Sequence, residues 1–224
     1  MCSKQILTCG SLRELVAAQY RDLPQSTALL SKHEPLLTYA GLNGQIDRIG
    51  SLLRAHKITH NDRVAIVLPN GPEMAATFLG VACYSICAPL NPAYGPAELE
   101  FYLTDLAAKA VVTSAGTDQA VRDVAIRLGL MVLDVEAFKD FGGDDLPPDD
   151  FGREDALALV LHTSGTTSRP KQVPLSHRNL CESASAIART LSLTPDDICL
   201  NVMPLFTFTG LSAYSCPLWR QALR

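Results

Sequence analysis

The sequence lacks the features that mark membrane, secreted and nucleic-acid-binding proteins. No apolar run approaches the roughly 20 residues of a membrane-spanning helix, and Met1–Gly10 holds no hydrophobic stretch of signal-peptide length. Lys and Arg total 19 against 23 Asp and Glu, a net charge of −4, so no basic surface that could offset nucleic-acid phosphates is expected. The default expectation is a cytosolic protein without a nucleic-acid partner.

The cysteine and histidine patterns that hold metal ions or disulfide frameworks are also missing. The seven cysteines are an odd number scattered through apolar segments, so we expect buried free thiols. Cys83 and Cys87 are four residues apart, but no second Cys or His pair completes a zinc site. We expect the five histidines to be structural or solvent-exposed, and only His162 borders a segment with other chemical features. The cysteines are Cys2, Cys9, Cys83, Cys87, Cys181, Cys199 and Cys216.

What is present is the composition of a globular chain. Apolar residues make up 47% of the 224 residues and charged residues 19%, which excludes an intrinsically disordered protein. Glycine and proline occur 14 times each, close to average use, which excludes collagen-like and low-complexity chains. By length the chain corresponds to roughly one large domain or one and a half small ones, enough to bury a core.

Helical and strand patterns alternate along the first part of the chain. Ser11–Glu14 carries a capping-box signature for a first helix, and apolar spacing predicts a second helix over Tyr39–Ala55. A Val- and Ile-rich strand, Arg63–Leu68, precedes a third helix that Asn70 can cap. The alternation predicts an α/β fold with parallel strands flanked by helices. Later strands are predicted over 86–90, 110–113 and 130–133, and later helices over 96–106 and 117–128.

Three regions are expected along the chain. Residues 1–140 form a first α/β subdomain, and residues 141–155 form an acidic linker rich in Gly and Pro. A calcium loop is the weaker interpretation of that linker, because it lacks the alternating ligands and closing Glu of an EF-hand. Residues 156–224 start a second subdomain, and its last residues, from Trp219, begin a helix. An earlier helix of this region starts near Ser176, with Leu180, Ala184, Ile187 and Leu191 on one side.

The segment richest in chemistry follows an apolar strand, Ala156–Leu161. Gly165 allows a tight turn and the close approach of an anion to backbone amides. Lys171, behind the stiff Pro170, adds a mobile positive charge suited to phosphate oxygens. Together with a run of hydroxyl side chains, these residues predict a cradle for a polyphosphate. The hydroxyls belong to Thr163, Ser164, Thr166, Thr167 and Ser168.

A kinase-like P-loop is the alternative interpretation of such a segment. That motif requires a second glycine five positions after Gly165, followed by Lys-Ser or Lys-Thr. Pro170 occupies the position of that glycine. The pattern therefore disfavours a P-loop phosphotransferase.

Residues Val160–Lys171 resemble the phosphate-loop signature of the adenylate-forming enzymes at every position. This family includes acyl-CoA synthetases, luciferases and peptide-synthetase adenylation domains, and the resemblance covers essentially the whole chain. Ser168-Arg169 before the Pro-Lys pair, and Val173-Pro174-Leu175 after it, are similar to the oxalyl-CoA synthetase branch. Further family motifs are Leu37-Thr38-Tyr39, Arg63-Val64-Ala65-Ile66 leading to Pro69-Asn70-Gly71, and Leu90-Asn91-Pro92-Ala93-Tyr94 with Glu98-Leu99.

This resemblance implies an ATP-dependent ligase that works in two steps. A carboxylate, from a small acid such as oxalate or from a fatty acid, attacks the α-phosphate of ATP to give an acyl-adenylate and pyrophosphate. CoA, or another thiol acceptor, then displaces AMP. The resemblance assigns the β- and γ-phosphates, with Mg²⁺, to the loop Thr163–Ser168 and to Lys171. The hydroxyls position the phosphates, and Ser164 is not a nucleophile, because no His/Asp constellation accompanies it in sequence.

The resemblance also implies an acyl-pocket motif at Asn201–Leu211. The oxalyl-CoA branch has histidines where this chain has threonines, and threonine carries no charge, so the oxalate preference stays open. Gln172, where the family usually has glycine, would be strained if that position required a positive φ. The expected substrate-binding residues are Phe206, Thr207, Thr209 and Gly210, with core packing as the alternative role of Phe206 and Phe208.

Family members extend well beyond this chain, which therefore resembles the N-terminal part of a synthetase. The Thr-Glu pair that holds Mg²⁺, the ribose-binding Asp and the adenylating lysine of the C-terminal domain are expected in segments that this sequence does not contain. No catalytic residue and no metal ligand is therefore assigned within it. The alternative is a non-catalytic remnant or interaction module, and a peroxisomal address of a full-length parent would also lie outside this sequence.

Overall fold

The computed structural model describes residues 9–31, 36–116, 119–140, 151–163, 170–194, 196–207 and 220–223. Its helices are α1 (Leu12–Asp22), α2 (Tyr39–Ala55), α3 (Pro72–Tyr84), α4 (Pro96–Asp105), α5 (Gln119–Arg127), α6 (Ala137–Asp140) and α7 (His177–Thr190). Its strands are β1 (Thr27–Ser31), β2 (Leu37–Thr38), β3 (Arg63–Ile66), β4 (Ile86–Pro89), β5 (Ala110–Thr113), β6 (Met131–Asp134), β7 (Leu157–Thr163), β8 (Lys171–Ser176), β9 (Ile198–Asn201) and β10 (Arg220–Leu223). No helix among the described residues is long and apolar enough to cross a membrane.

The strands form two sheets. The larger has six strands in the order β6-β5-β3-β4-β7-β8, and all neighbours are parallel except β8, which runs antiparallel to β7. The smaller has four strands in the order β2-β1-β10-β9, with β10 parallel to both of its neighbours. This architecture confirms the predicted α/β fold of parallel strands flanked by helices.

The larger sheet separates two hydrophobic cores. Val64 and Ile66 of β3 pack into the core that contains α1, α2 and α3, whereas Ala65 packs into the core that contains α4 and α5. Successive side chains of a strand point to opposite faces, so a strand covered on both faces is a continuous apolar run. This is why β3 and β7 could be predicted from sequence.

The connections reverse direction between β3 and β4. From β3 the chain passes through α3 to β4 on one side, and from β4 through α4 to β5 on the other side of β3. Helices α3 and α4 therefore start from one edge of the sheet and lie on opposite faces. Open α/β sheets bind ligands in the crevice that such a reversal creates. Because β7 is the parallel neighbour of β4, its C-terminal end reaches the same edge.

The boundary expected at residues 141–155 does not separate two sheets. Strands β7 and β8, which follow it, extend the sheet built by β3–β6, and β9 and β10 join β1 in the smaller sheet. Residues 220–223 were expected to start a helix, and that prediction is wrong: they form β10. Pairing with β1 and β9 supplies backbone hydrogen bonds that local sequence patterns do not reveal. Residues 141–150 lie outside the described residues.

Two further predictions at element ends need correction. Gly71 occupies the N-cap position of α3, and no side chain caps the helix there. Asn70 therefore does not cap α3. In α7 the buried side includes Cys181, Ser185 and Ala188 together with Leu180 and Ala184, and Leu191 is 59% exposed. The apolar side of α7 thus contains small and polar residues that a search for large apolar side chains misses.

The expected buried thiols are found among the described cysteines. Cys83, Cys87 and Cys181 are buried and free, whereas Cys9 and Cys199 are half-buried. Burial raises the pKa of the Cys83 and Cys181 thiols to about 12, so both remain protonated and unreactive at neutral pH. Cys2 and Cys216 lie outside the described residues.

Candidate active site

The predicted phosphate loop joins the two strands of a β-hairpin. Strands β7 and β8 pair up to His162 opposite Gln172 and Thr163 opposite Lys171, which is the last pair before the loop. The loop therefore leaves the sheet at the C-terminal end of β7. This end lies at the sheet edge where α3 and α4 begin, which is the edge where ligands of this fold class bind.

Two of the predicted phosphate-binding residues, Thr163 and Lys171, are described. They face each other across the base of the hairpin, and both are exposed. Among the described residues, none forms a hydrogen bond or an ion pair with the Lys171 ammonium. The base of the loop thus presents a positive charge that an anion can use. The predicted residues Ser164, Gly165, Thr166, Thr167 and Ser168 lie outside the described residues.

The last turn of α4 holds the base of this hairpin. The carboxylate Oδ2 of Asp105 accepts a hydrogen bond from Gln172 Nε2 at 2.7 Å and lies 2.9 Å from His162 Nε2. Gln172 Nε2 also donates to the main-chain carbonyl of Asp105 at 2.7 Å. The hydrogen bond from Gln172, and then that from His162, lowers the pKa of Asp105 from its ordinary value. Asp105 is therefore ionised at neutral pH.

Aromatic contacts strengthen this connection. The imidazole of His162 lies edge-on to the Tyr102 ring at a centroid distance of 4.7 Å, and Tyr102 stacks on Tyr94 at 4.7 Å. The side chain of His162 is 6% exposed, so it has a structural environment, as expected for the histidines. Tyr102 and Asp105 are one turn apart on α4, and both contact the hairpin.

Gln172 is not strained. Among the described residues, positive φ values outside glycine occur at Lys57, Ala107 and Ser192, and Gln172 is not one of them. It lies in regular strand β8, where its side chain ties the hairpin to α4. At this position, where the resemblance implies a glycine, the glutamine side chain forms two hydrogen bonds to α4. Sequence reasoning missed Asp105 as the partner, because nothing local indicates that α4 meets β8.

The expected acyl-pocket segment is anchored to the same edge of the sheet. The side-chain oxygen of Asn70 accepts a hydrogen bond from the backbone N–H of Leu205 at 2.9 Å, and Leu205 is fully buried. The hydroxyl of Thr207 donates to the carbonyl of Pro204 at 2.7 Å and closes a turn. Phe206 and Thr207 are half-buried, whereas Phe208, Thr209 and Gly210 lie outside the described residues. Asn70 thus connects the turn after β3 with this segment, a contact that the sequence did not indicate.

Replacing Asn70 with alanine should loosen this segment. Asn70→Ala leaves the buried Leu205 N–H without an acceptor, which should lower the free energy of unfolding by about 1–2 kcal/mol. Amide hydrogen exchange of Leu205 should become at least about fivefold faster. Asn91→Ala is the matched control, because Asn91 accepts its bond from nearby Ala93 N–H in an exposed turn. Equal exchange at Leu205 in the wild type and Asn70→Ala would show that this hydrogen bond does not hold the segment.

The described residues suit an anion better than a metal ion. No three His, Cys, Asp or Glu side chains converge among them as a ligand set. The exposed ammonium of Lys171, at the base of the hairpin, instead offers a positive charge. Among the described residues, Thr163 and Lys171 are compatible with an anionic ligand such as a triphosphate, and no ligand for Mg²⁺ is assigned.

Known proteins with similar sequences and structures are CoA ligases and related synthetases. The chain is 37% identical over 223 residues to a probable CoA ligase, CCL9, of Humulus lupulus, covering 92% of this chain and 41% of that protein. It is 36% identical over 220 residues to an oxalate–CoA ligase of Arabidopsis thaliana, covering 92% and 42%. The structure of o-succinylbenzoate CoA synthetase of Bacillus subtilis with AMP matches with a TM-score of 0.83 at 25% identity, covering 93% of this chain and 55% of that one.

These matches define both the extent and the family of the chain. It spans about two fifths of the length of the two curated relatives, 41% and 42%. The sequence profile of the AMP-binding enzymes matches residues 16–221. The chain therefore belongs to the AMP-binding enzyme family.

Proposed function

We propose that this chain is the N-terminal, nucleotide-binding part of an AMP-forming acid–thiol ligase. Such an enzyme activates a carboxylic acid with ATP and then transfers the acyl group to CoA. The observation that carries the proposal is the β7–β8 hairpin, whose base holds Lys171 at the edge of the sheet where α3 and α4 begin. Membership of the AMP-binding enzymes and similarity to proteins named as CoA ligases support it.

The loop contributes by binding and by stabilising charge. In this proposal the backbone amides around Gly165 and the hydroxyls of Thr163–Ser168 donate hydrogen bonds to the β- and γ-phosphates of ATP. Lys171 neutralises the negative charge that grows on the leaving pyrophosphate when the carboxylate attacks the α-phosphate. Mg²⁺, when bound with ATP, spreads the charge of the same phosphates. The hydroxyls remain intact throughout, so no covalent enzyme intermediate is required.

The expected acyl-pocket segment carries no positive charge of its own. Residues 198–210 contain no Lys, Arg or His, and the hydroxyl of Thr207 donates to the carbonyl of Pro204. Similar proteins are named for different acids, oxalate and sulfoacetate among them. We therefore propose a small carboxylic acid such as oxalate, or a fatty acid, as the substrate.

A substitution at Lys171 tests the proposal. Lys171→Ala should weaken ATP binding to the chain more than about tenfold, or about 1.4 kcal/mol, because the loop loses its charge contact with the phosphates. Isothermal titration calorimetry with ATP measures this directly, and Lys171→Arg, which keeps the charge, should bind within about threefold of the wild type.

A charge-matched control is available at the opposite edge of the sheet. Arg127 ends α5 just before β6 begins, and its exposed guanidinium pairs with Glu100. Arg127→Ala changes the net charge by the same amount as Lys171→Ala and should leave ATP affinity unchanged. An equal loss of ATP affinity in both variants would show that the effect comes from net charge alone. Unchanged ATP affinity in Lys171→Ala would disprove the phosphate-binding role.

A further inference from the structure

Asp105 meets the hairpin one residue pair before the loop begins. His162 and Gln172 are cross-strand partners in β7 and β8, and the next pair is Thr163 with Lys171. Cross-strand partners project from the same face of a sheet, so their side chains can share one acceptor. Here both reach the carboxylate of Asp105, at 2.9 and 2.7 Å. One carboxylate thus contacts both strands directly next to Lys171.

The contact also satisfies groups that would otherwise lack partners. The carbonyl of Asp105 lies in the last turn of α4, where carbonyl groups have no partner within the helix, and Gln172 donates to it. Strand β8 is the last strand of the larger sheet, so it pairs with β7 on one side. The bonds from α4 therefore add a second attachment to a strand that the sheet holds along a single edge.

We propose that Asp105 is a positioning residue for Lys171, acting through Gln172 and His162. This inference rests on the phosphate-binding role proposed for Lys171. With Asp105 in place, the base of the hairpin has one orientation, and the ammonium at residue 171 is held at the sheet edge. Without it, β8 can shift against α4, and part of the binding energy is spent on ordering the hairpin.

The sign of the effect separates positioning from simple electrostatics. Removing a negative charge close to the phosphate site would strengthen triphosphate binding if charge alone mattered. Positioning predicts the opposite, because the acceptor for both side chains is lost. Asp105→Ala should therefore weaken the binding of inorganic tripolyphosphate to the chain about five- to tenfold, measured by calorimetry.

Exchanging the amide and the carboxylate between Gln172 and Asp105 tests whether binding can be restored. Gln172→Glu places a second carboxylate against Asp105 and should weaken tripolyphosphate binding at least about tenfold. Adding Asp105→Asn restores the bond between the two side chains with donor and acceptor reversed, but not the bond to the main-chain carbonyl of Asp105. It also returns the net charge to that of the wild type. The double variant should bind at least about threefold more tightly than Gln172→Glu, with full recovery prevented by the carbonyl bond that remains lost. Amide exchange at Lys171 in the free chain should follow the same order.

The chain offers a matched Gln–Asp pair as a control. Gln119 Nε2 donates to Asp123 Oδ1 at 2.9 Å on the exposed face of α5. Gln119→Glu, alone or with Asp123→Asn, changes the same chemical groups and should leave tripolyphosphate affinity unchanged. Urea unfolding of all variants separates loss of binding from loss of the fold.

The outcomes distinguish this inference from the proposed function. If Lys171→Ala loses binding but Asp105→Ala binds as tightly as the wild type or more tightly, the positioning role is wrong and the phosphate site stands. A double variant no better than Gln172→Glu also overturns the positioning role. If the wild type itself does not bind tripolyphosphate, or Lys171→Ala binds it equally well, the proposed function fails and this inference with it.

Discussion

Gly152→Ala is expected to lower the free energy of unfolding by about 3 kcal/mol. A methyl group at residue 152 would lie 2.0 Å from Nε2 and 2.8 Å from Cδ2 of His177. The imidazole is 1% exposed and its Nδ1 accepts a hydrogen bond from Leu12 N–H at 3.3 Å, so a shift of the ring would break this bond inside the core. The backbone of Gly152 is also held, since its N–H donates to the carbonyl of Cys83 at 3.0 Å.

Urea denaturation followed by circular dichroism measures this change. Gly116→Ala is the control, because Gly116 is an exposed glycine whose added Cβ would meet no atom within 4 Å. That variant should stay within about 0.5 kcal/mol of the wild type. A loss of less than about 1 kcal/mol in Gly152→Ala would mean that His177 repacks easily and that this contact is not rigid.

The part of the fold that sequence predicts well is the part governed by neighbours in the chain. Ser11 caps α1 as predicted, with its hydroxyl accepting from Glu14 N–H at 3.3 Å. The predicted bounds of α2 and β5 match the observed ones. Side-chain periodicity and capping act over a few residues, so a single sequence contains them. Even here the carboxylate of Glu14 bonds Gly10 N–H, one residue away from the expected partner.

In the candidate site too, the local motif could be predicted from sequence, whereas the contacts between distant residues could not. The hydroxyl-rich segment and Lys171 form a continuous motif after an apolar strand, and its placement at the end of β7 follows from that order. The residues that hold the site in place come from far along the chain. Gln172 and Asp105 are 67 positions apart, and Leu205 and Asn70 are 135 apart. Such pairs depend on the order of strands in the sheet, which no local pattern specifies.

His177 belongs to this long-range group, and its burial should make the stability of the chain depend on pH. It lies at the start of α7 and accepts a bond from α1, 165 residues earlier. Burial lowers the pKa of His177 from 6.5 to about 4. Between pH 6.5 and pH 4 the unfolded chain therefore binds a proton at His177 that the folded chain does not. The contribution of the neutral imidazole to the free energy of unfolding is fully present above pH 6.5 and is lost as the pH falls to 4. The expected loss is about 3 kcal/mol.

His177→Asn isolates this contribution, because the asparagine oxygen can accept the bond from Leu12 N–H without titrating. Free energies of unfolding in urea are measured at intervals between pH 7 and pH 4. They should fall less steeply in His177→Asn than in the wild type, by about 1.4 kcal/mol per pH unit, which corresponds to one proton. The exposed His60 provides the control, and His60→Asn should keep the wild-type slope. Parallel curves for the wild type and His177→Asn would contradict a neutral, buried imidazole. Because the carboxyl of Asp105 has a pKa below its ordinary value, its protonation contributes at the acidic end, and the upper half of the range reports mainly on His177.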